Sequence, residues 1–243
     1  MRIGIIGAGN IGGNLARLLV GAGHRVTVSF SRDPAALARL AEQLGATATT
    51  PAEAARDAEV IVLAVPWGVV DEALAAAGGA AGLAGRLVLD TTNQFERRDG
   101  ALAVLDLGGE SASAYNARKA PGAHWVKVFN TLTAGFQASS AGRTGPDRVV
   151  MFYALDEAID ATTDDATTDA TTLATTDDTA VATVERLVND VGFDPVRTGT
   201  FARDEVGHQE PKGDLYGEEF HHDGALELVA KLRGTPPSGR GRP

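Results

Sequence analysis

Gly7, Gly9 and Gly12 stand in the stretch GIIGAGNIGG, residues 4–13, with the spacing G-x-G-x-x-G. A short apolar run precedes them, and a Leu/Ala-rich run of helical character follows. Between a strand and a helix, each glycine has its own task. The first permits a tight turn, the second lets the backbone approach a ligand, and the third lets the helix pack close against the strand. Free N–H groups at the helix start, aided by the helix dipole, favour an anion there. The ligand this implies is the pyrophosphate of a dinucleotide.

About 20 residues further on, at the end of the next strand, an Asp or Glu would select a free ribose 2′-hydroxyl. The sequence instead reads SFSRD (29–33), placing Ser31 and Arg32 at that strand end. A guanidinium makes charge-assisted bonds to a 2′-phosphate, and a serine hydroxyl can donate another. Asp33 precedes Pro34 and reads as a helix cap rather than a ribose ligand. The expected cofactor is therefore NADP(H). Two later strand ends, AVPWG (64–68) and DTTNQF (90–95), point to the same crevice, because ligands bind outside the carboxyl ends of strands in doubly wound sheets. Pro66, Trp67 and Asn93 are expected to line it. The alternatives are a surface tryptophan covering a helix and an asparagine that only makes a turn.

The elements that must position these residues alternate regularly. Apolar runs at 2–7, 25–30, 59–65, 86–92 and 124–130 read as strands, with helical stretches at 11–23, 34–45 and 111–120. That alternation predicts an α/β fold, a Rossmann-type doubly wound parallel sheet covered on both faces. The second half predicts a smaller C-terminal α/β extension, with strands at 148–154 and 193–199 and helices at 180–192 and 223–234. The expected organisation is an NADP-binding domain over 1–135 and a small domain over 136–234, followed by a disordered tail over 235–243. Four near-copies of ATTD between 161 and 177 mark a low-complexity insertion at about 157–179, expected to be solvated and without regular structure.

Composition excludes several classes. The 243-residue chain has no cysteine, so neither disulfides nor thiolate metal sites are possible. Eight acids fall within 156–178, where no Lys or Arg stands; without them the net charge of −10 falls to about −2. No basic face suggests a nucleic-acid partner. No run approaches the ~20 apolar residues of a membrane span, so a cytoplasmic protein is expected. His221 and His222 are adjacent and cannot face one ion from a helix, and EEFHH (218–222) lacks the H-E-x-x-H arrangement, so no metal is expected. The polar stretch GHQEPKGDLYGEEF (207–220) reads as a solvated segment at a pocket rim or dimer surface.

Several phrases together resemble one family: GIIGAGNIGGNLARLL (4–19), VSFSR (28–32), VLAVPWGVVDEAL (62–74), LVLDTTN (87–93), VKVFNTL (126–132), GFDPVRTG (192–199) and DLYG (214–217). The chain resembles the NADPH-dependent F420 reductases over most of residues 1–217. The resemblance implies hydride exchange between NADP(H) and the deazaflavin coenzyme F420, a small-molecule co-substrate, in a homodimer. It assigns Gly7, Gly9, Asn10, Ile11 and Gly12 to the pyrophosphate, and Ser31 with Arg32 to the 2′-phosphate. It also suggests Asn130, Leu132 and Ala134 as the wall where the two rings meet. No side-chain acid is expected at the reacting carbon, since hydride transfer needs positioning. Phe30 is bulky where the family often has a small or polar residue, and Asn130 stands where some members have His. Two other functions remain open: NADPH-dependent reduction of a small imine or carbonyl compound, and non-catalytic NADP(H) sensing.

Overall fold

Short runs of Val, Ile and Leu form the strands of a computed structural model that describes residues 1–156 and 170–239, with the backbone alone over 170–178. The first five strands are β1 (Arg2–Ile6), β2 (Arg25–Ser29), β3 (Thr47–Ala48), β4 (Val60–Leu63) and β5 (Leu87–Asp90). A hairpin, β6 (Phe95–Arg98) and β7 (Ala101–Val104), stands apart as a two-stranded antiparallel sheet. Then come β8 (His124–Val128), β9 (Val150–Leu155) and β10 (Asp194–Thr200). The main sheet has eight strands in the order β10-β9-β8-β5-β4-β1-β2-β3. All its pairings are parallel except β8 with β9, so β9 and β10 run against the other six. This is a Rossmann-like α/β fold, and its C-terminal extension adds two strands directly to the sheet of the first half.

Along β4 every side chain is buried, but alternate residues serve opposite layers. Val60 and Val62 pack with Leu15 and Leu19 of α1 (Asn10–Gly21) and Leu37 of α2 (Pro34–Leu44). Ile61 and Leu63 face the other layer. There Ala55 of α3 (Pro51–Asp57), Leu74 of α4 (Val70–Ala76), Leu83 of α5 (Gly79–Leu83) and Ala117 of α6 (Ala112–Ala117) meet Trp125. The first layer continues beyond α7 (Ala134–Ser140) through Val184, Leu187 and Val188 of α8 (Ala170–Asp190). At the far end, α9 (His222–Leu232) packs Ala225 and Val229 on Val150, Phe152 and Val196.

Helix α8 corrects one expectation. It begins at Ala170, inside the Ala/Thr/Asp repeats, so the end of the segment read as lacking regular structure is helical. Once the amphipathic stretch after residue 180 forms a helix, propagation adds a hydrogen bond per residue without a new nucleation cost. The rest of that insertion, 157–169, and the last four residues of the tail, 240–243, lie outside the described residues. The tail is placed as far as residue 239, with Thr235 and Ser238 hydrogen-bonded to the body, which corrects the expectation of disorder for that part.

Candidate functional site

The turn after β1 enters α1 as the spacing predicts. Gly7 has φ 109, a left-handed value that an L side chain rarely adopts, and a Cβ there would overlap the Ala64 carbonyl. A Cβ on Gly12 would overlap the Gly7 carbonyl oxygen and stand 3.2 Å from Ala64 Cβ. A Cβ on Gly9 would meet nothing within 4 Å. Packing therefore requires the first and third glycines, while the second leaves its backbone open to a ligand. Gly9 caps α1 without a side-chain bond, and Asn10 begins the helix, exposed. Ile11 is half-buried and packs against the core, so its side chain faces inward.

A cleft of about 670 Å³ opens over the ends of β1, β2 and β4. Gly7, Gly9, Ser31, Arg32 and Pro66 line it, as does Glu72, which the sequence did not single out. Asp33 caps α2, accepting the Ala36 amide at 2.9 Å, so its carboxylate is committed to the helix. The Ser31 hydroxyl donates to the Asp33 carbonyl at 3.1 Å. Arg32 is exposed, and its guanidinium has no partner among the described residues. These features fit an NADP(H) cofactor: an open backbone at Gly9, a cleft, and an uncommitted guanidinium at its rim.

Trp67 does not line that cleft. It stacks beside Tyr115, ring centroids 5.6 Å apart, with the Lys119 ammonium over both rings. Asn93 lies further along the carboxyl edge and is joined there to Asn130. Asn93 Nδ2 donates to the Asn130 carbonyl at 2.9 Å, and Asn130 Nδ2 donates back to Asn93 Oδ1 at 3.1 Å. Leu132 is buried in the core below, and Ala134 opens α7 behind the Thr133 cap. The Asn93 turn rests on a buried ion pair. Asp90 and Lys127, both fully buried, are 3.3 Å apart, and Lys127 also donates to the Thr92 carbonyl. Asn116 ties Asp90 to the Thr92 hydroxyl, each at 3.1 Å.

The segment read as solvated is docked on this edge instead. His208, Gln209 and Glu210 are buried. Asn130 Nδ2 donates to the Gln209 carbonyl at 2.7 Å, and the Gly217 amide donates to the Thr131 carbonyl at 2.9 Å. Its polar residues find partners inside the protein: Glu210 accepts the Ala112 and Ser113 amides at the start of α6. Docking brings Tyr216 to the site, its hydroxyl accepting from Asn93 Nδ2 at 3.3 Å. Burial pushes that phenol up to about 12. The phrase DLYG held the only sequence signal for Tyr216, and the resemblance gave it no role. Among the described residues, no group of three or more His, Asp or Glu could hold a metal ion, and no helix is long and apolar enough to cross a membrane.

Residues 2–94, which carry the glycine turn, Ser31, Arg32 and Asn93, match the family described as NADP oxidoreductase, coenzyme F420-dependent. Over that stretch the chain is similar to this family. A hypothetical protein from Sinorhizobium meliloti is 27% identical with a TM-score of 0.72, covering 92% of this chain and 96% of that one. A protein from Arthrobacter sp. FB24, provisionally described as an F420-dependent NADP reductase, is 25% identical with a TM-score of 0.67. That match covers 86% of this chain and 89% of the other. An imine reductase from Myxococcus stipitatus, solved with NADP+, shares the fold at 17% identity and a TM-score of 0.54, covering 83% of this chain but 56% of the other. No curated protein matches the chain by sequence. The F420-dependent oxidoreductase match ends just after Asn93, so Asn130 and Tyr216 lie outside it.

Proposed function

We propose that this chain transfers a hydride between NADP(H) and the deazaflavin coenzyme F420. The observation that carries this reading is the uncommitted Arg32 guanidinium on the same cleft as the open backbone of Gly9, within the stretch that matches the F420-dependent family. Bound together, the two coenzymes supply the chemistry: nicotinamide C4 gives the hydride and deazaflavin C5 takes it.

The chain's own work is positional. The N–H groups at the start of α1 bind the pyrophosphate, while Arg32 and a re-aimed Ser31 hydroxyl hold the 2′-phosphate. Pro66 and the Asn93–Asn130 pair shape the edge beyond, on which both rings must lie. Holding two reactants in contact geometry can supply several kcal/mol of the barrier on its own, so a side-chain acid is not required. Reduction of a small imine or carbonyl compound is the reading to exclude. We further propose that the enzyme is a homodimer, with the division at residue 135 marking the end of its cofactor-binding half.

The deciding experiment mixes the protein with NADPH and oxidised F420 and follows loss of the deazaflavin's visible absorbance, with NADH in parallel. NADPH-selective bleaching is expected. NADPH binding without bleaching would refute the deazaflavin as co-substrate, and sedimentation would test the dimer.

A further inference from the structure

The Asn93 side chain is fully committed. Its two amide protons go to the Asn130 carbonyl and the Tyr216 hydroxyl oxygen, and its own oxygen accepts from Asn130. That closed set fixes which way the amide points. The Tyr216 oxygen is consequently an acceptor toward Asn93, and its proton must be directed elsewhere. Among the described residues, no acceptor meets that proton.

The ring that carries it is held firmly. It packs edge-on to Phe95, centroids 6.3 Å apart at 65°. The neighbouring Gly217 amide is pinned to Thr131 at the end of β8. Tyr216 is half-buried, so part of it faces solvent at the carboxyl edge. In a doubly wound sheet this edge is where ligands bind. The cleft with the glycine turn covers the ends of β1, β2 and β4, and Asn93 and Asn130 follow β5 and β8, the next strands along.

We propose that Tyr216 is a substrate-contacting donor, its hydroxyl proton hydrogen-bonding a ring carbonyl oxygen of the second substrate. The inference rests on the deazaflavin reading above and deepens it. When a hydride, two electrons with one proton, leaves nicotinamide C4 for deazaflavin C5, negative charge arrives on the acceptor's carbonyl side. A fixed O–H aimed at that oxygen is worth more as the charge grows than before it. Tyr216 keeps its proton throughout, and the proton that completes reduction at the ring nitrogen comes from solvent. With its phenol raised to about 12, the hydroxyl stays a donor across the neutral range.

The test uses Tyr216→Phe, which keeps the ring against Phe95 and removes only the hydroxyl. Oxidised F420 is titrated into protein saturated with NADP+, following deazaflavin fluorescence, and NADPH binding is measured separately. Weakening of F420 binding by roughly 5–10-fold with NADPH binding within twofold of wild type is expected, the loss of one hydrogen bond. Single-turnover bleaching should slow by a larger factor than binding weakens. Equal F420 binding and equal bleaching in both proteins would overturn the role of Tyr216 and leave the deazaflavin reading standing. Loss of NADPH binding in step with F420 would overturn it too, since the hydroxyl would then be holding the fold of the edge. A wild-type protein that neither binds nor bleaches F420 overturns the deazaflavin reading and this assignment with it.

Discussion

Gly9 and Gly12 are three residues apart in one motif, yet the structure assigns them different work, and alanine at each position separates the two. In Gly12→Ala the new methyl overlaps the Gly7 carbonyl oxygen, with the Gly7 carbonyl carbon at 3.1 Å and Ala64 Cβ at 3.2 Å. Both obstacles at the turn are backbone, so no rotamer change relieves them. Helix α1 must instead move away from β1, although its Leu15 and Leu19 are buried in the main core. Overpacking of this kind costs about 3 kcal/mol. In a domain of this size that lowers the melting temperature by roughly 6–12 °C. Gly9→Ala adds a methyl with nothing within 4 Å at an extended helix cap, φ −79. Its melting temperature should stay within about 3 °C, since the lost cap preference and the gain from a stiffer unfolded chain are each under ~1 kcal/mol. NADPH affinity should nevertheless fall by about tenfold or more, because in the proposed binding mode the methyl occupies the approach to the pyrophosphate. Thermal melts and NADPH titrations of the two variants read both effects. A Gly12→Ala protein as stable as wild type, or a Gly9→Ala protein with undiminished affinity, would refute the division of labour.

Arg32→Ala should weaken NADPH by roughly 10–100-fold, the value of a hydrogen bond to a charged group, and leave NADH unchanged; equal losses for both nucleotides in a binding titration would remove the 2′-phosphate assignment. Lys127→Met strands the fully buried Asp90 carboxylate and should destabilise by about 3–5 kcal/mol in urea unfolding. An unchanged midpoint there would mean that the pair does not support the Asn93 turn. Burial pushes the Asp214 carboxyl up, but bonds from Ser238 and His208 outweigh it and hold the group below the ordinary range. A depressed folded value contributes stability above the unfolded value of about 3.9 and loses it as pH falls through the folded one. Exchange at the Ser238 amide, which donates to Asp214 at 3.0 Å, should therefore be flat from about pH 8 to 5 and accelerate below about 4, relative to Asp214→Asn. Stronger protection on acidification would contradict the sign.

The long strands and helices were legible because buried parallel strands write continuous Val/Ile/Leu runs, as in β4, and surface helices write an amphipathic period, as in α2. The short elements were not. Helix α3 has seven residues, too few for a period, although Thr50 and Glu53 form a capping box that could have marked its start. The glycine turn was readable because its residues are contiguous and Gly7 and Gly12 answer local steric demands. The Asn93–Asn130–Tyr216 cluster was only partly readable, since its members come from three segments up to 123 positions apart. Asn93 could be placed by lying at a strand end, and Asn130 only through the family resemblance. Tyr216 depends on how the 206–217 segment docks, and its polar composition pointed to solvent rather than to partners inside.

Two aromatic residues show what the fold does to hold these strand ends. Phe30 and Phe129 have φ of 59 and 60, left-handed values for bulky side chains. Each immediately precedes a proposed site residue, Ser31 or Asn130, at the end of β2 or β8. Such a conformation costs about 1–2 kcal/mol relative to a right-handed one. A glycine would remove that strain, so the persistence of Phe needs an opposing gain, and burial supplies it at Phe129. Its ring is 2% exposed in the main core, and its carbonyl accepts from Gln137 at 3.0 Å. Deleting a buried phenyl costs about 3–5 kcal/mol, which exceeds the strain relieved. Phe129→Gly should therefore be destabilised by roughly 2–3 kcal/mol net, less than the full cost of an emptied phenylalanine site. Phe129→Ala, which keeps the strain and empties the same space, should fall further. If urea unfolding finds the glycine variant no more stable than the alanine variant, the left-handed turn before Asn130 carries no stored strain, and the anchoring of that edge must come from the Gln137 hydrogen bonds alone.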